Sequence, residues 1–174
     1  MEKVEVLIPK DSLSERVKQL AAEVTESYRG RSIYAVCVLK GGVVFMMDLL
    51  REIEVPFEMS FMDVSSYERG TESSGEIRVN LDMDNDLTGK HVLFVEDIVD
   101  SGRTLDFLTK MARERNAADV KTCTLLHKPD RTVFDVKIDF LGFEIPDEFV
   151  VGYGLDYNQK YRDLKYIGMM KFAD

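Results

Sequence analysis

One segment constrains the fold of this chain more than any other: Val92-Leu93-Phe94-Val95-Glu96-Asp97-Ile98-Val99-Asp100-Ser101-Gly102-Arg103-Thr104. Its opening residues are apolar without alternation, the pattern of a strand covered on both faces, as in a parallel sheet flanked by helices. We read His91 to Val95 as that strand and Glu96 to Gly102 as a loop. Thr104 to Arg115 is read as a helix, with Leu105, Leu108 and Met111 or Ala112 on one face. The same order occurs earlier: Ile33 to Leu39 reads as a buried strand, Lys40-Gly41-Gly42 interrupts it, and Val43 to Ile53 reads as a helix. Strand, helix and strand recurring in this way predict an α/β fold with a mainly parallel twisted sheet flanked by helices. Chemistry in such sheets gathers at the carboxyl ends of the strands. Two polar stretches lie at such ends, Lys40-Gly41-Gly42 and Glu96 to Thr104.

The remaining elements follow from local pattern. Val4 to Ile8 is a short strand. Ser12-Leu13-Ser14-Glu15 offers a capping box for a helix whose face is Leu13, Val17, Leu20 and Val24, with Gly30 as its stop. Pro56 to Val64 reads as a strand, Ser65 to Gly75 as a long polar, mobile loop, and Glu76 to Leu81 as the returning strand of a hairpin. Asp82 to Gly89 is a second polar connection, and Val120 to Leu126 is a strand. Lys137 to Leu141 and Phe149 to Gly152 are shorter extended stretches. With 174 residues and no repeat or linker, the chain is expected to be a single domain over residues 1–174.

The acids and the Ser-Gly step after Val95 suit two parts of one ligand. Helix-opening N–H groups favour a phosphate, Gly102 lets the backbone approach it, and Ser101 and Thr104 add hydroxyl donors. Glu96 and Asp97 are acceptors for a ribose diol or for metal-bound water, and magnesium prefers such oxygens. The competing reading is a solvated acidic turn ahead of a Ser-capped helix. Neither a Walker loop nor a dinucleotide-binding glycine fingerprint is present. The net charge of −9 argues against broad nucleic-acid binding, which depends on neutralising phosphates. No apolar run reaches the ~20 residues of a membrane span, and nothing marks export, so a cytoplasmic location is expected. Cys37 and Cys123 sit inside apolar runs and read as buried thiols; with His91 and His127 they have no zinc-site spacing.

Val92 to Thr104 resembles the phosphoribosyl-pyrophosphate signature of type I phosphoribosyltransferases. Leu39-Lys40-Gly41-Gly42, Ser65-Ser66-Tyr67, Thr71 to Gly75, Leu126-His127-Lys128-Pro129, Gly142 to Asp147, Val150 to Tyr157 and Arg162 resemble the hypoxanthine-guanine branch, bacterial type. The matches run in order over most of the chain. The resemblance implies the type I fold, with a core over about 30–150, a small hood from the two chain ends and a flexible hairpin loop. It implies a magnesium-dependent transfer from phosphoribosyl pyrophosphate to a 6-oxopurine base, releasing pyrophosphate, in a homodimer or homotetramer.

By the same resemblance Asp100 is the general acid/base at purine N7, and Glu96 and Asp97 hold the ribose hydroxyls. Asp100, Ser101, Gly102, Arg103 and Thr104 wrap the 5′-phosphate. Lys40, Gly41 and Gly42 form the pyrophosphate loop, with a cis bond before Lys40, and Arg162 reaches the pyrophosphate. Lys128 donates to the 6-oxo group, Phe149 stacks on the base, Val150 gives backbone contacts, and Asp156 lies near the base and a second magnesium. Glu96, Asp97 and Asp156 are thus the expected metal-side acids, and Ser66 and Tyr67 belong to the closing loop. Read singly, these residues have plainer explanations: a helix cap for Asp100, a strand-to-helix turn for Lys40-Gly41-Gly42, core for Phe149, and surface charge for Lys128, Asp156 and Arg162. Two rival functions remain at this stage: a nucleotide- or RNA-binding regulator of the same fold, and a phosphoribosyltransferase for another base.

Overall fold

Alternate residues of the central strands enter two separate hydrophobic clusters, and this dictates a sheet with helices on both faces. The computed structural model describes residues 3–69 and 72–172, with only the backbone described at 66–69 and 72–76. Strand β2 (Ile33–Val38) sends Ile33, Ala35 and Cys37 to one cluster and Tyr34, Val36 and Val38 to the other. Strand β5 (His91–Val99) splits Leu93 and Val95 from Val92 and Phe94 in the same way. Helices α1 (Lys10–Ser27) and α2 (Val43–Glu52) cover the first face, and α3 (Arg103–Glu114) covers the second.

The main sheet has the order β4-β3-β2-β5-β6-β7, where β3 is Phe57–Arg69, β4 Glu72–Leu81, β6 Asp119–His127 and β7 Phe140–Glu144. All its pairings are parallel except β3 with β4. The chain builds outward from β2 in one direction and from β5 in the other, so their carboxyl ends flank a topological switch point. Ligands of open α/β sheets bind at such points. A second, antiparallel sheet of order β1-β9-β8 joins Lys3–Ile8, Ile167–Lys171 and Val150–Val151, tying both chain ends together. Among the described residues, no helix is long and apolar enough to cross a membrane.

Several boundaries differ from the sequence reading. Helix α1 begins at Lys10, before the expected capping box, and no side chain caps it. Pro9 precedes it with φ of −65°, and its carbonyl accepts from Leu13 N–H at 3.0 Å. Strand β5 continues through the acids to Val99, because β6 extends with it and pairs Glu96 with Thr124 and Val99 with His127. The polar stretch read as a loop from Ser65 is instead strand: β3 runs to Arg69, with Ser66 opposite Ile77 on β4. Its serines and tyrosine supply backbone groups to an antiparallel ribbon, and side-chain polarity alone does not break a ladder built from backbone groups. The tip, Gly70 and Thr71, and the side chains of Ser66 and Tyr67 lie outside the described residues.

The strand expected at Lys137 begins at Phe140. There Thr122 replaces the ladder: its Oγ1 donates to Lys137 O and accepts from Asp139 N–H, while Asp139 Oδ2 accepts from Thr122 N–H. Strand β9 had no counterpart in the sequence reading.

Candidate active site

The turns after β2, β5 and β6 and the loop after β8 enclose a cleft of about 780 Å³ at the switch point. Lys40 and Gly41 enter from β2; Asp97, Ile98 and Asp100 from β5; Lys128 and Arg131 from the turn after β6. Asp147, Phe149 and Val150 form one wall, and Leu155, Asp156, Gln159 and Arg162 form another. Beside it, Glu96, Ser101, Gly102 and Thr104 line a small hollow of about 90 Å³ at the amino end of α3. Ile98 and Asp100 border both spaces.

Strand geometry explains the partition of the acids. Successive side chains of a strand point to opposite faces, so Glu96 follows Phe94 toward α3 and Asp97 follows Val95 toward α2. Gly102 heads α3 with φ of +86°, a left-handed backbone that glycine adopts without cost, and an added Cβ would lie 3.1 Å from Val136 Cγ2. On the other side, a Cβ at Gly41 would lie 1.7 Å from Asp97 Oδ2, so the Gly41 backbone and the Asp97 carboxylate share one space. The Leu39–Lys40 peptide is cis.

Burial dominates the electrostatics. Glu96 is 7% exposed and, among the described residues, its Oε2 has no hydrogen-bond partner. Burial, with Asp97 adding like-charge repulsion, pushes its carboxyl up to about 8. Burial also pushes Asp97 up to about 6, against the lowering effect of the Ile98 N–H, which donates to its Oδ1 at 2.9 Å. Burial raises the thiols of Cys37, to about 12, and of Cys123, so both are inert core groups.

A raised folded-state pKa means that the folded protein binds this proton more tightly than the unfolded chain does. Stability from Glu96 is therefore full below about pH 4.5 and is lost as pH rises toward 8. Replacing Glu96 by Gln is expected to stabilise the ligand-free protein by on the order of 2 kcal/mol more at pH 9 than at pH 6, and so to raise its melting temperature more at the higher pH. Thermal scans at the two pH values check this, and equal shifts at both would refute the burial argument.

The purine side of the cleft carries a chain of ion pairs. Arg131 Nε lies 2.6 Å from Asp100 Oδ1, although its N–H is not directed along a hydrogen bond. Arg131 Nη1 is 3.5 Å from Asp147 Oδ1, and the buried Lys128 Nζ is 3.7 Å from the same oxygen. Asp156 pairs with Arg162 at 2.9 Å, and Arg162 also donates to Gly154 O. Phe149 is 46% exposed, with its ring edge-on to Tyr157 and Phe172 at 5.6 and 6.3 Å. It is therefore not the core phenylalanine that a single-residue reading favours.

Most of the residues singled out in the sequence come together here, and some do not. Gly42 is buried as the residue before α2, donates to Val38 O, and does not line the cleft. The Arg103 guanidinium leaves the phosphate hollow and lies over the Phe134 ring at 5.5 Å, so only its backbone stays with the turn. Glu96, Asp97 and Asp156 do not form one cluster: among the described residues, no three metal-ligating side chains are grouped. Magnesium needs only one or two carboxylates when waters and substrate phosphates complete its shell. The orphan Oε2 of Glu96 and the buried carboxylate of Asp97 are oxygens in want of a donor or cation, so this donor set fits that ion. Arg131 and Gln159 were missed, since isolated polar residues carry no spacing that marks a site; Asp147 and Tyr157, inside stretches that carry the resemblance, were given no role of their own.

Residues 10–158 match the family profile described as Phosphoribosyl transferase domain. The hypoxanthine-guanine phosphoribosyltransferase of Bacillus subtilis is 49% identical, over 97% of this chain and 93% of its own length. The crystal structure of a hypoxanthine phosphoribosyltransferase from Staphylococcus aureus superposes with a TM-score of 0.91 at 42% identity, covering 96% of this chain and 91% of that one. A hypoxanthine-guanine phosphoribosyltransferase from Bacillus anthracis, with HEPES in its active site, gives 0.91 at 40% identity, covering 99% and 100%.

Proposed function

The chain belongs to the phosphoribosyltransferase family, and on that premise we propose how its residues perform purine salvage as a hypoxanthine-guanine phosphoribosyltransferase. The reaction joins C1′ of phosphoribosyl pyrophosphate to N9 of hypoxanthine or guanine. The bond from C1′ to the pyrophosphate oxygen breaks, giving IMP or GMP and free pyrophosphate.

The observation that best supports a division of labour is that Asp100 and the buried ammonium of Lys128 face one cleft from adjacent turns. Asp100 takes the proton at N7, which makes the ring nitrogen nucleophilic toward the sugar. Lys128 donates to the 6-oxo group; adenine presents a donor there, set against an ammonium that has no acceptor to offer it. Phe149 offers its exposed ring to the base, and Val150 its backbone. Ser101, Gly102, Thr104 and the backbone of Arg103 hold the 5′-phosphate at the head of α3. Glu96 and Asp97 hold the ribose hydroxyls from their two sides. Lys40, Gly41 and Arg162 take the pyrophosphate end, and Gly42 supports that loop from beneath.

Bound Mg²⁺ supplies charge neutralisation at the leaving pyrophosphate. Asp97 and Asp156 would hold it from the cleft side, and Glu96, which lines the hollow, is the third expected metal-side acid. The ribbon of β3 and β4, with Ser66 and Tyr67, excludes water by closing over the sugar. The domain divides into a core over about 30–150 and a hood of the chain ends, and it works in the cytoplasm as a homodimer or homotetramer.

The test is nucleotide formation from phosphoribosyl pyrophosphate and magnesium, with hypoxanthine, guanine, xanthine and adenine compared in the same assay. We expect turnover of hypoxanthine and guanine, none of adenine, and at least about a 100-fold loss of oxopurine kcat/KM in Lys128→Met. Adenine turnover, or an unaffected Lys128→Met, would remove the selectivity argument; no turnover with any base would bring the regulator reading forward.

A further inference from the structure

Three consecutive carbonyls of the turn after β5 are each taken by a donor from the segment after β6. Lys128 N–H donates to Val99 O at 3.0 Å, Thr132 Oγ1 lies 3.0 Å from Asp100 O, and the N–H groups of Val133 and Phe134 donate to Ser101 O at 3.0 and 3.1 Å. The outer donors are backbone groups, which any residue but proline supplies. Only the middle one, at Asp100, depends on the identity of a side chain.

Thr132 Oγ1 has two further neighbours, Lys128 O at 3.0 Å and His127 Nε2 at 2.9 Å. A hydroxyl carries one proton and two lone pairs. Both carbonyls can only accept, so the Thr132 proton serves them, shared or alternating. His127 must then be the donor, with the proton on Nε2. An imidazole protonated on Nδ1 alone would draw the hydroxyl proton to itself and leave both carbonyls without it. One half-buried hydroxyl thus clips the carbonyl of Asp100 to the carbonyl of Lys128, and His127 fixes its direction.

We propose that Thr132, oriented by His127, is a positioning residue that sets the spacing between Asp100 and Lys128. It thereby tunes the fit of a 6-oxopurine between them. This rests on the reading that Asp100 works at N7 and Lys128 at the 6-oxo oxygen. N7 and O6 lie on one edge of the base, so a ligand engaged at both atoms measures the distance between the two side chains. Phosphoribosyl pyrophosphate does not span that distance and is expected to respond to it less than the base does.

Thr132→Val removes the hydroxyl at nearly constant shape. Steady-state kinetics with hypoxanthine and guanine, the KM for phosphoribosyl pyrophosphate, and the melting temperature are measured together. The KM for the bases is expected to rise about tenfold, as for a lost hydrogen bond, while the KM for phosphoribosyl pyrophosphate stays within about twofold. Thr132→Ser restores the base KM, and His127→Leu gives a smaller rise because the hydroxyl keeps its proton but loses its orienting donor. Should Thr132→Val fail to fold, His127→Leu and Thr132→Ser carry the same comparison. A lower melting temperature with unchanged base KM overturns the proposal, as does an equal rise in both KM values. Asp100→Asn and Lys128→Met serve as controls: if both turn over normally, the underlying assignment fails. If both are impaired while Thr132→Val keeps the wild-type base KM, the spacing inference alone fails.

Discussion

Replacing Gly41 by alanine is expected to leave the protein folded and to lower kcat/KM for phosphoribosyl pyrophosphate by about 100-fold. The new Cβ would lie 1.7 Å from Oδ2 and 2.7 Å from Cγ of Asp97, so one of the two must move. The backbone of Gly41 is not free to retreat, because its carbonyl is already so close to Gly154 that a Cβ there would lie 2.3 Å from it. The Asp97 carboxylate is the terminal group of a short side chain, so it yields first and loses its bond from Ile98 N–H. A displacement on the order of 1 Å of a positioning group is worth about two orders of magnitude in rate.

The mechanism makes a sharper claim than the loss itself. If alanine acts only by displacing Asp97, then Gly41→Ala, Asp97→Ala and the double variant should be about equally impaired. Independent sites would multiply their losses instead. A double variant about 100-fold worse than either single one would show that the pyrophosphate loop itself cannot accommodate a Cβ at Gly41, apart from Asp97. A Gly41→Ala protein with wild-type kinetics would show that the cleft tolerates Asp97 elsewhere.

The strands that surround the switch point were legible because burial on both faces leaves a simple mark, an unbroken apolar run. Ile33 to Val38 and Val92 to Val95 carry that mark and lie where it predicts. The hairpin was read, but not how far its strands run, because residues 65–76 are mostly polar and strand pairing there rests on backbone groups that sequence does not display. Strand β9 was missed because Ile167-Gly168-Met169-Met170-Lys171 is too short and irregular to stand out, and its partner β1 lies at the other end of the chain. The site divides along the same line. Residues adjacent in sequence, Glu96 to Thr104, were found together. The contacts that set their geometry come from afar: Gly41 on Asp97, Arg131 on Asp100 and Thr132 on the Asp100 carbonyl. The direction of the Arg103 side chain was illegible for the same reason, since Phe134, the ring it lies over, is thirty-one positions downstream.

Asp100→Asn is expected to lower kcat by about 10²- to 10⁴-fold, the range for removing a positioned acid/base. Asparagine preserves shape, and its amide oxygen can still face Arg131 as Oδ1 does at 2.6 Å. The turn keeps a second hold when the charge is lost, because Thr132 also binds Asp100 through its carbonyl. The binding of phosphoribosyl pyrophosphate should therefore survive, since the hollow at the head of α3 is built from Ser101, Gly102 and Thr104. What disappears is the capacity to accept a proton, since an amide is not a base at neutral pH. The rise in melting temperature on adding phosphoribosyl pyrophosphate with magnesium reads binding independently of turnover. Chemistry lost with that shift retained assigns Asp100 to proton transfer. If the shift is lost as well, the charge of Asp100 serves binding, and the Arg131 pair becomes the structural reason. Turnover within a few-fold of wild type removes Asp100 from the chemistry and leaves the proton at N7 to solvent.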